Sequence, residues 1–307
     1  MRKILSTLLL GFCLTTTAQD CNISIVPIVT PTSENEHSAQ VEQYLSNRLS
    51  TLVNNSSGIS GVGENQFAIA ASYDILGKSI VPGSPVKIVY DLQVTLFIVD
   101  LKGKTIFTSY TTELKGVGDN ETKALINVFR RLNINNKDIL AFVSQGRDKI
   151  IAYYDKAYPQ IIASAKSLAA MKNYDAAINK LMSVPECCKG YPAVSETLKQ
   201  VYQQFVNQHC NENLAQARAA WIASPNSEGA STAGVFLSEI YPDAACYQDA
   251  MALFTDIKKR MGDIWKFEMK RWNDSISLEQ QRINVMRDIS IAYANAQAKQ
   301  EVTVFWK

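Results

Sequence analysis

The sequence predicts an α+β fold, in which an antiparallel-sheet α/β sandwich precedes an all-α domain of helical-hairpin repeats and a long C-terminal helix. Three observations lead to this prediction. Residues 67–114 contain long segments rich in β-branched and aromatic residues, and the segment 86–99 alternates strongly between apolar and polar residues. From residue 139 to 300 the apolar residues instead follow the period of a helix. Within that second region, one apolar pattern occurs three times.

The first eighteen residues have the order of a secretory signal peptide. Two basic residues precede an apolar run from Ile4 to Leu14, and Thr16-Thr17-Ala18 supplies small residues for cleavage. The run is shorter than the about 20 apolar residues that span a bilayer. We therefore expect an exported protein that is periplasmic, associated with the outer membrane or secreted. Whether Cys13 carries a lipid stays open. A lipoprotein signal has a small residue just before the modified cysteine, whereas the bulky Phe12 holds that place here.

The charge of the chain argues against nucleic acid as a partner. The full sequence has 31 Lys and Arg against 29 Asp and Glu, and two of the cations, Arg2 and Lys3, leave with the signal peptide. The remaining charges balance, so no general electrostatic attraction to nucleic acid or to an anionic membrane surface is expected.

Residues 19–137 are predicted to form an α+β docking domain. Its predicted elements are a strand over 23–29, a helix over 37–53, strands over 67–76, 86–99 and 104–114, and a helix after 118. Asp119 or Asn120 is the predicted N-cap of that last helix. Such an order favours mainly antiparallel strands with helices on one face of the sheet.

Residues 138–262 are predicted to form helical repeats. The recurring positions are Tyr174, Ala177, Ile178 and Leu181, then Leu214, Ala217, Arg218 and Trp221, then Tyr247, Ala250, Met251 and Phe254. A small residue between large ones lets two antiparallel helices approach closely, so the pattern indicates stacked helical hairpins. The region resembles degenerate tetratricopeptide repeats, and this resemblance implies binding to other proteins.

Residues 263–307 are predicted to form one long helix, from Asp263 to about Gln300, followed by an apolar, β-prone tail. The segment is either a cap for the repeats or an arm that contacts another chain. In the second case we expect the partner to contact four large aromatic side chains, which are Trp265, Trp272, Phe305 and Trp306.

Five cysteines remain after removal of the signal peptide, namely Cys21, Cys187, Cys188, Cys210 and Cys246. Export permits disulfides, and an odd number leaves at least one thiol unpaired within the chain. A bridge from Cys187 or Cys188 to Cys210 is one hypothesis. In the other, these residues are small buried side chains of helices.

No catalytic, cofactor-binding or metal-binding residue is predicted. The sequence lacks the common nucleophile, phosphate-binding, dinucleotide-binding and zinc motifs. The mature chain has two histidines, His37 and His209, and His209 adjoins Cys210. An unrecognised His-Cys site of a hydrolase or an enzyme accessory protein is therefore kept as an alternative.

The N-terminal domain resembles a family of bacterial envelope domains. The resemblance rests on FAIAASYDILGKSI, from Phe67, and on KIVYDLQVTLFIVDLKGKTIFTSYTTELKGVGDN, from Lys87. These segments are similar to penicillin-binding-protein activator lipoproteins, the curli secretion lipoprotein and a periplasmic flagellar assembly protein. The resemblance covers residues 22–132 and implies a domain that docks on envelope machinery without catalytic residues.

Together these observations predict a non-catalytic scaffold or adaptor in the envelope of a Gram-negative bacterium. Its expected partners are other envelope proteins. The first alternative is a structural subunit of an oligomeric secretion or adhesion complex, and self-association is therefore left open.

Overall fold

The computed structural model describes residues 23–29, 38–56, 59–60 and 66–298. Five strands of this part form one sheet, and they are β1 (Ile23–Val29), β2 (Ile59–Ser60), β3 (Phe67–Val81), β4 (Lys87–Asp100) and β5 (Thr105–Gly118). Their order across the sheet is β2-β1-β3-β4-β5. β1 lies parallel to β2 and β3, whereas β3, β4 and β5 form an antiparallel meander.

Eight α-helices occur in the described residues: α1 (Ser38–Asn54), α2 (Glu121–Arg130), α3 (Lys137–Ala170), α4 (Tyr174–Met182), α5 (Tyr191–Ala223), α6 (Ser227–Ser238), α7 (Tyr247–Met261) and α8 (Leu278–Ala298). The predicted α+β fold class with a C-terminal helix is confirmed. Asn120 is the N-cap of α2, because its side chain accepts a hydrogen bond from the backbone N–H of Lys123 at 2.8 Å. None of the described helices combines the length and apolarity needed to cross a bilayer.

Alternation along β4 separates a buried face of the sheet from a polar face. The fully buried side chains are Leu92, Val94, Leu96 and Ile98. α3 packs on this face, since a β-carbon on Gly146 would lie 2.7 Å from the side chain of Ile98. On the other face, the Thr95 and Thr111 hydroxyls form a hydrogen bond at 3.1 Å. The helices thus cover one face and leave the second polar.

A buried hydrogen-bond network joins the sheet to the helices. The Tyr154 hydroxyl, on α3, donates to Asp100 Oδ2 at 2.7 Å and accepts from Gln66 Nε2 at 2.8 Å. Gln66 Nε2 also reaches the carbonyl oxygen of Ser183 at 2.9 Å, and the N–H of Gly103 donates to Asp100 Oδ1 at 2.8 Å. Burial, followed by the Asp100 charge, raises the pKa of Tyr154, so its hydroxyl stays protonated. The network fixes α3 and the end of α4 against the β3–β4 hairpin.

The repeated apolar positions lie in the interior of the helical part. The buried members are Ala177, Ile178, Leu181, Leu214, Ala217, Trp221, Ala250 and Phe254. Arg218 departs from the pattern and is exposed. α5 is continuous over 33 residues and includes the whole second copy. The spacing of the apolar residues therefore predicted which helix faces are buried. The helices themselves differ in length and do not form hairpins of equal size.

The long helix predicted from Asp263 begins only at Leu278. The chain before it runs in an irregular path along α6 and α7, because its large side chains insert between helices. Trp265 Nε1 donates to the carbonyl oxygen of Ala230 at 2.9 Å, and Phe267 covers Gly234. α8 then returns to α4, where Ser290 Oγ donates to Asn179 Oδ1 at 2.9 Å.

The hypothesised bridge from Cys187 or Cys188 to Cys210 is wrong in its partner. Cys210, within α5, forms a disulfide with Cys246, which immediately precedes α7, and their Cα atoms lie 6.0 Å apart. Packing of α7 beside α5 brings these two residues together across 36 positions of sequence. Cys188 is a buried free thiol. Cys187 is also disulfide-bonded. Cys21 lies outside the described residues.

Candidate binding clefts of the helical part

A cleft of about 180 Å³, here called the first cleft, lies between the start of α4 and the middle of α5. It is lined by Lys172, Asn173, Tyr174, Asp175, Phe205, Gln208, His209 and Glu212. The tight turn after α3 positions its α4 side. Lys172 adopts the left-handed conformation, with φ of 59°, and the N–H of Asn173 donates to the carbonyl oxygen of Leu168 at 2.9 Å.

Four half-buried rings lie in or beside this cleft, and we call Tyr174, Phe205, His209 and Tyr241 the ring cluster. Phe205 and His209 lie one turn apart on α5, and their rings stack with centroids 5.6 Å apart and an interplanar angle of 12°. Tyr174 meets Phe205 edge-on at 6.4 Å. Tyr241 lies 6.2 Å from His209. Aromatic side chains that keep one face accessible are typical anchors for a binding partner.

Lys270 adds a positive charge at the end of the ring cluster. Its ammonium nitrogen lies 4.2 Å from the centroid of the Tyr241 ring, which is a cation–π geometry. The same nitrogen lies 3.0 Å from Glu239 Oε2 and 3.1 Å from the Glu239 carbonyl oxygen. This exposed ion pair contributes little to stability, so its main effect is to place Lys270.

A second cleft, of about 250 Å³, adjoins the ring cluster. It is lined by Tyr241, Pro242, Lys270, Arg271, Trp272, Ile276, Gln281, Asn284 and Val285. α8 supplies one wall, and the irregular segment before α8 supplies another. Since Tyr241 and Lys270 contribute to the second cleft and also adjoin the rings of the first, the two clefts form neighbouring parts of one surface.

The electrostatic surroundings keep His209 neutral. Partial burial lowers the pKa of His209, and the charge of Lys270 lowers it further, against the opposing effects of Glu239, Glu212 and Asp175. Burial raises the pKa of the Asp175 carboxyl. At neutral pH the histidine therefore contributes an uncharged ring to the first cleft, whose rim carries carboxylates.

The structure does not assemble the hypothesised His-Cys site. The Cys210 sulfur is in a disulfide and supplies no thiolate. Cys188 lies against α3, where its Sγ is 3.9 Å from the Ile151 carbonyl oxygen, and burial raises its pKa to about 12. His37 lies outside the described residues. Within the described ranges, no three or more His, Cys, Asp or Glu residues are arranged to hold a metal ion.

The four predicted partner-binding aromatics have different positions. Trp265 is buried against Phe254, with ring centroids 4.9 Å apart, so it is an interior residue rather than a contact for a partner. Trp272 is half-buried and lines the second cleft. Phe305 and Trp306 lie outside the described residues.

Sequence reasoning missed the roles of Phe205, His209 and Lys270 in the clefts. The i, i+4 spacing of Phe205 and His209 on a predicted helix was the available signal for their stacking. No local signal indicates Lys270, because it approaches Tyr241 only through the path of the irregular segment before α8.

No protein-family model matches the chain, and no curated protein matches it either. Several solved structures are similar to part of it, including two from bacteria. One, described as a "putative lipoprotein" from Caulobacter crescentus CB15, has 10% identity and a TM-score of 0.25, and the match covers 39% of this chain and 90% of that one. The other is a minor lipoprotein from Acinetobacter baumannii, with 15% identity and a TM-score of 0.25, covering 40% and 94% of the two chains. At this TM-score neither likeness bears on the function of the chain.

Proposed function

We propose that this chain is an exported, non-catalytic adaptor of the bacterial envelope that binds another envelope protein through its two clefts. The signal-peptide pattern of residues 1–18 supports export. The Tyr154 network fixes the N-terminal sheet domain against the helical part, which carries the clefts.

The observation that carries this proposal is the joined pair of clefts. The first cleft offers stacked rings with a polar rim, and the second offers Trp272, Ile276 and Val285 beside Lys270 and Arg271. Aromatic anchors surrounded by polar groups are typical of protein-binding surfaces. The disulfide at Cys210 and the buried Cys188 favour this role over cysteine-dependent hydrolysis.

Site-specific photo-cross-linking tests the adaptor role. p-Benzoylphenylalanine replaces Gln208, which lines the first cleft, or Gln160, an exposed glutamine of α3 outside both clefts. After irradiation of intact cells that produce the protein natively, we expect a discrete cross-linked product from position 208 only. No product at position 208, or the same product from both positions, would contradict binding at the clefts.

A second candidate function is a structural subunit of an oligomeric complex. The end of the β3–β4 hairpin that carries the turn favours this second function, because large apolar side chains are exposed there. These are Ile75, Leu76, Ile80, Val81 and Val86. Exposed apolar residues that lie together mark contact sites between proteins.

Light scattering separates the two candidates. If the protein is an adaptor, we expect the unchanged mature chain to have the mass of a monomer. The double variant Leu76→Ser, Ile80→Ser is then expected to have the same mass. A larger mass in the unchanged chain that falls to the monomer mass in the double variant would favour the structural subunit instead.

A further inference from the structure

We propose that the first cleft receives the guanidinium or ammonium group of an arginine or lysine side chain from the partner polypeptide. This inference rests on the proposed function, because it assigns the chemistry of the partner at the same site.

The charges that line the first cleft favour a cationic group from outside. Asp175 and Glu212 line the first cleft. Burial lowers the pKa of His209, and the negative charge of Glu239, just after α6, opposes this effect. The lining also contains one cation, Lys172, so its two carboxylates exceed its positive charge by one. Lys270, which lies outside the lining, forms an ion pair with Glu239. Within the described residues, Asp175 has neither a hydrogen bond nor an ion pair, so one carboxylate on the rim is available to a cation from outside.

The ring cluster also favours a cationic group. The stacked Phe205 and His209 rings and the edge of Tyr174 provide aromatic surfaces beside the carboxylates. Aromatic faces attract ammonium and guanidinium groups, and guanidinium also stacks on them. The cleft volume of about 180 Å³ is large enough for the end of a side chain but small for an entire folded element.

The protein already combines a cation, a ring and a carboxylate within its own chain. Lys270 places its ammonium group 4.2 Å from the Tyr241 ring centroid and 3.0 Å from the Glu239 carboxylate. Two rings, Tyr174 and Phe205, and two carboxylates, Asp175 and Glu212, line the first cleft together, so both kinds of group are present there. An organic cation fits better than a metal ion, because the described carboxylates and His209 do not form a metal-ligating group.

Binding of small probes to the mature, disulfide-bonded chain tests this inference. The probes are Nα-acetyl-arginine amide, Nα-acetyl-lysine amide and the neutral analogue Nα-acetyl-citrulline amide, titrated while the side-chain NMR signals of Tyr174 and His209 are recorded. We expect both cationic probes to shift these signals with saturation, and citrulline to bind about tenfold more weakly or not at all.

Variants then locate the site. Asp175→Asn combined with Glu212→Gln is expected to weaken the cationic probes by about tenfold, whereas Glu228→Gln, an exposed carboxylate of α6 outside the clefts, leaves binding unchanged. Equal binding of arginine and citrulline probes, or equal binding to both variants, would overturn the inference. If the probes give such a result but the cross-linked product still forms at position 208, only the cation inference fails and the adaptor role is retained. If the cross-linked product is also absent, the proposed function fails as well.

Discussion

Replacing Cys210 and Cys246 together with serine is expected to lower the free energy of unfolding of the helical part by about 4 kcal/mol. The disulfide closes a loop across 36 positions, from the middle of α5 to the start of α7. Its loss increases the conformational freedom of the unfolded chain, which is the main source of disulfide stabilisation in the chain-entropy account. Urea unfolding followed by tryptophan fluorescence measures the change, since all four tryptophans lie in the C-terminal half.

Cys188→Ala is the matched control for this experiment. Cys188 is a buried thiol outside any disulfide, so its truncation removes only a small side chain, at a cost of about 1 kcal/mol. A double variant that unfolds at the same urea concentration as the unchanged protein would contradict the bridge. So would peptide mapping of the unreduced protein that finds Cys210 bonded to another cysteine.

The second large effect is expected at Gly116, where α2 packs on β5. A β-carbon at this position would lie 2.4 Å from both the Ala124 carbonyl oxygen and the Val128 nitrogen. Both are backbone atoms, so Gly116→Ala forces α2 away from the sheet and opens the contacts of Val128 and Phe129 with the core. We expect a loss of about 3 kcal/mol in the stability of the sheet domain.

Thermal unfolding followed by far-ultraviolet circular dichroism measures this loss, with Gly77→Ala as the control. At Gly77 the nearest atom to a new β-carbon is the Asp91 Cβ at 3.8 Å, which is an ordinary contact. The control is therefore expected to unfold at the same temperature as the original chain or slightly above it. Equal unfolding temperatures of Gly116→Ala and Gly77→Ala would contradict the close packing of α2 on β5.

The sheet domain could be predicted well from sequence because its signals are local. The alternation along β4 distinguishes the buried Leu92 and Val94 from the outward-facing Gln93 and Thr95. Likewise, the small residues Ala177, Ala217 and Ala250 indicated the buried faces of α4, α5 and α7 before their packing was known.

The C-terminal segment was predicted less well, because apolar spacing alone did not separate a helix from an irregular path. Trp265, Met269, Trp272 and Ile276 follow one another at intervals of three and four residues, as on a helix. In the structure Trp265 and Met269 are buried outside any α-helix, with the Trp265 indole bonded to α6. Contacts with α6 and α7 thus decided the local structure.

The partner of Cys210 and the two clefts also lay beyond sequence reasoning, for a common reason. Each depends on which helices stack beside one another: α5 beside α7 for the disulfide, and the segment before α8 beside Tyr241 for the clefts. Sequence showed the rings and charges individually, whereas their distances result from tertiary packing.

The most direct test of the central claim is the affinity of the partner captured at position 208, purified and titrated against three forms of the mature chain. These are the unchanged protein, Tyr241→Ala, which removes a ring that lines the second cleft and adjoins His209 of the first, and Glu228→Gln as the control. We expect Tyr241→Ala to weaken binding by about tenfold or more and Glu228→Gln to bind like the unchanged protein. Equal affinity of all three forms would contradict the assignment of the clefts as the binding surface.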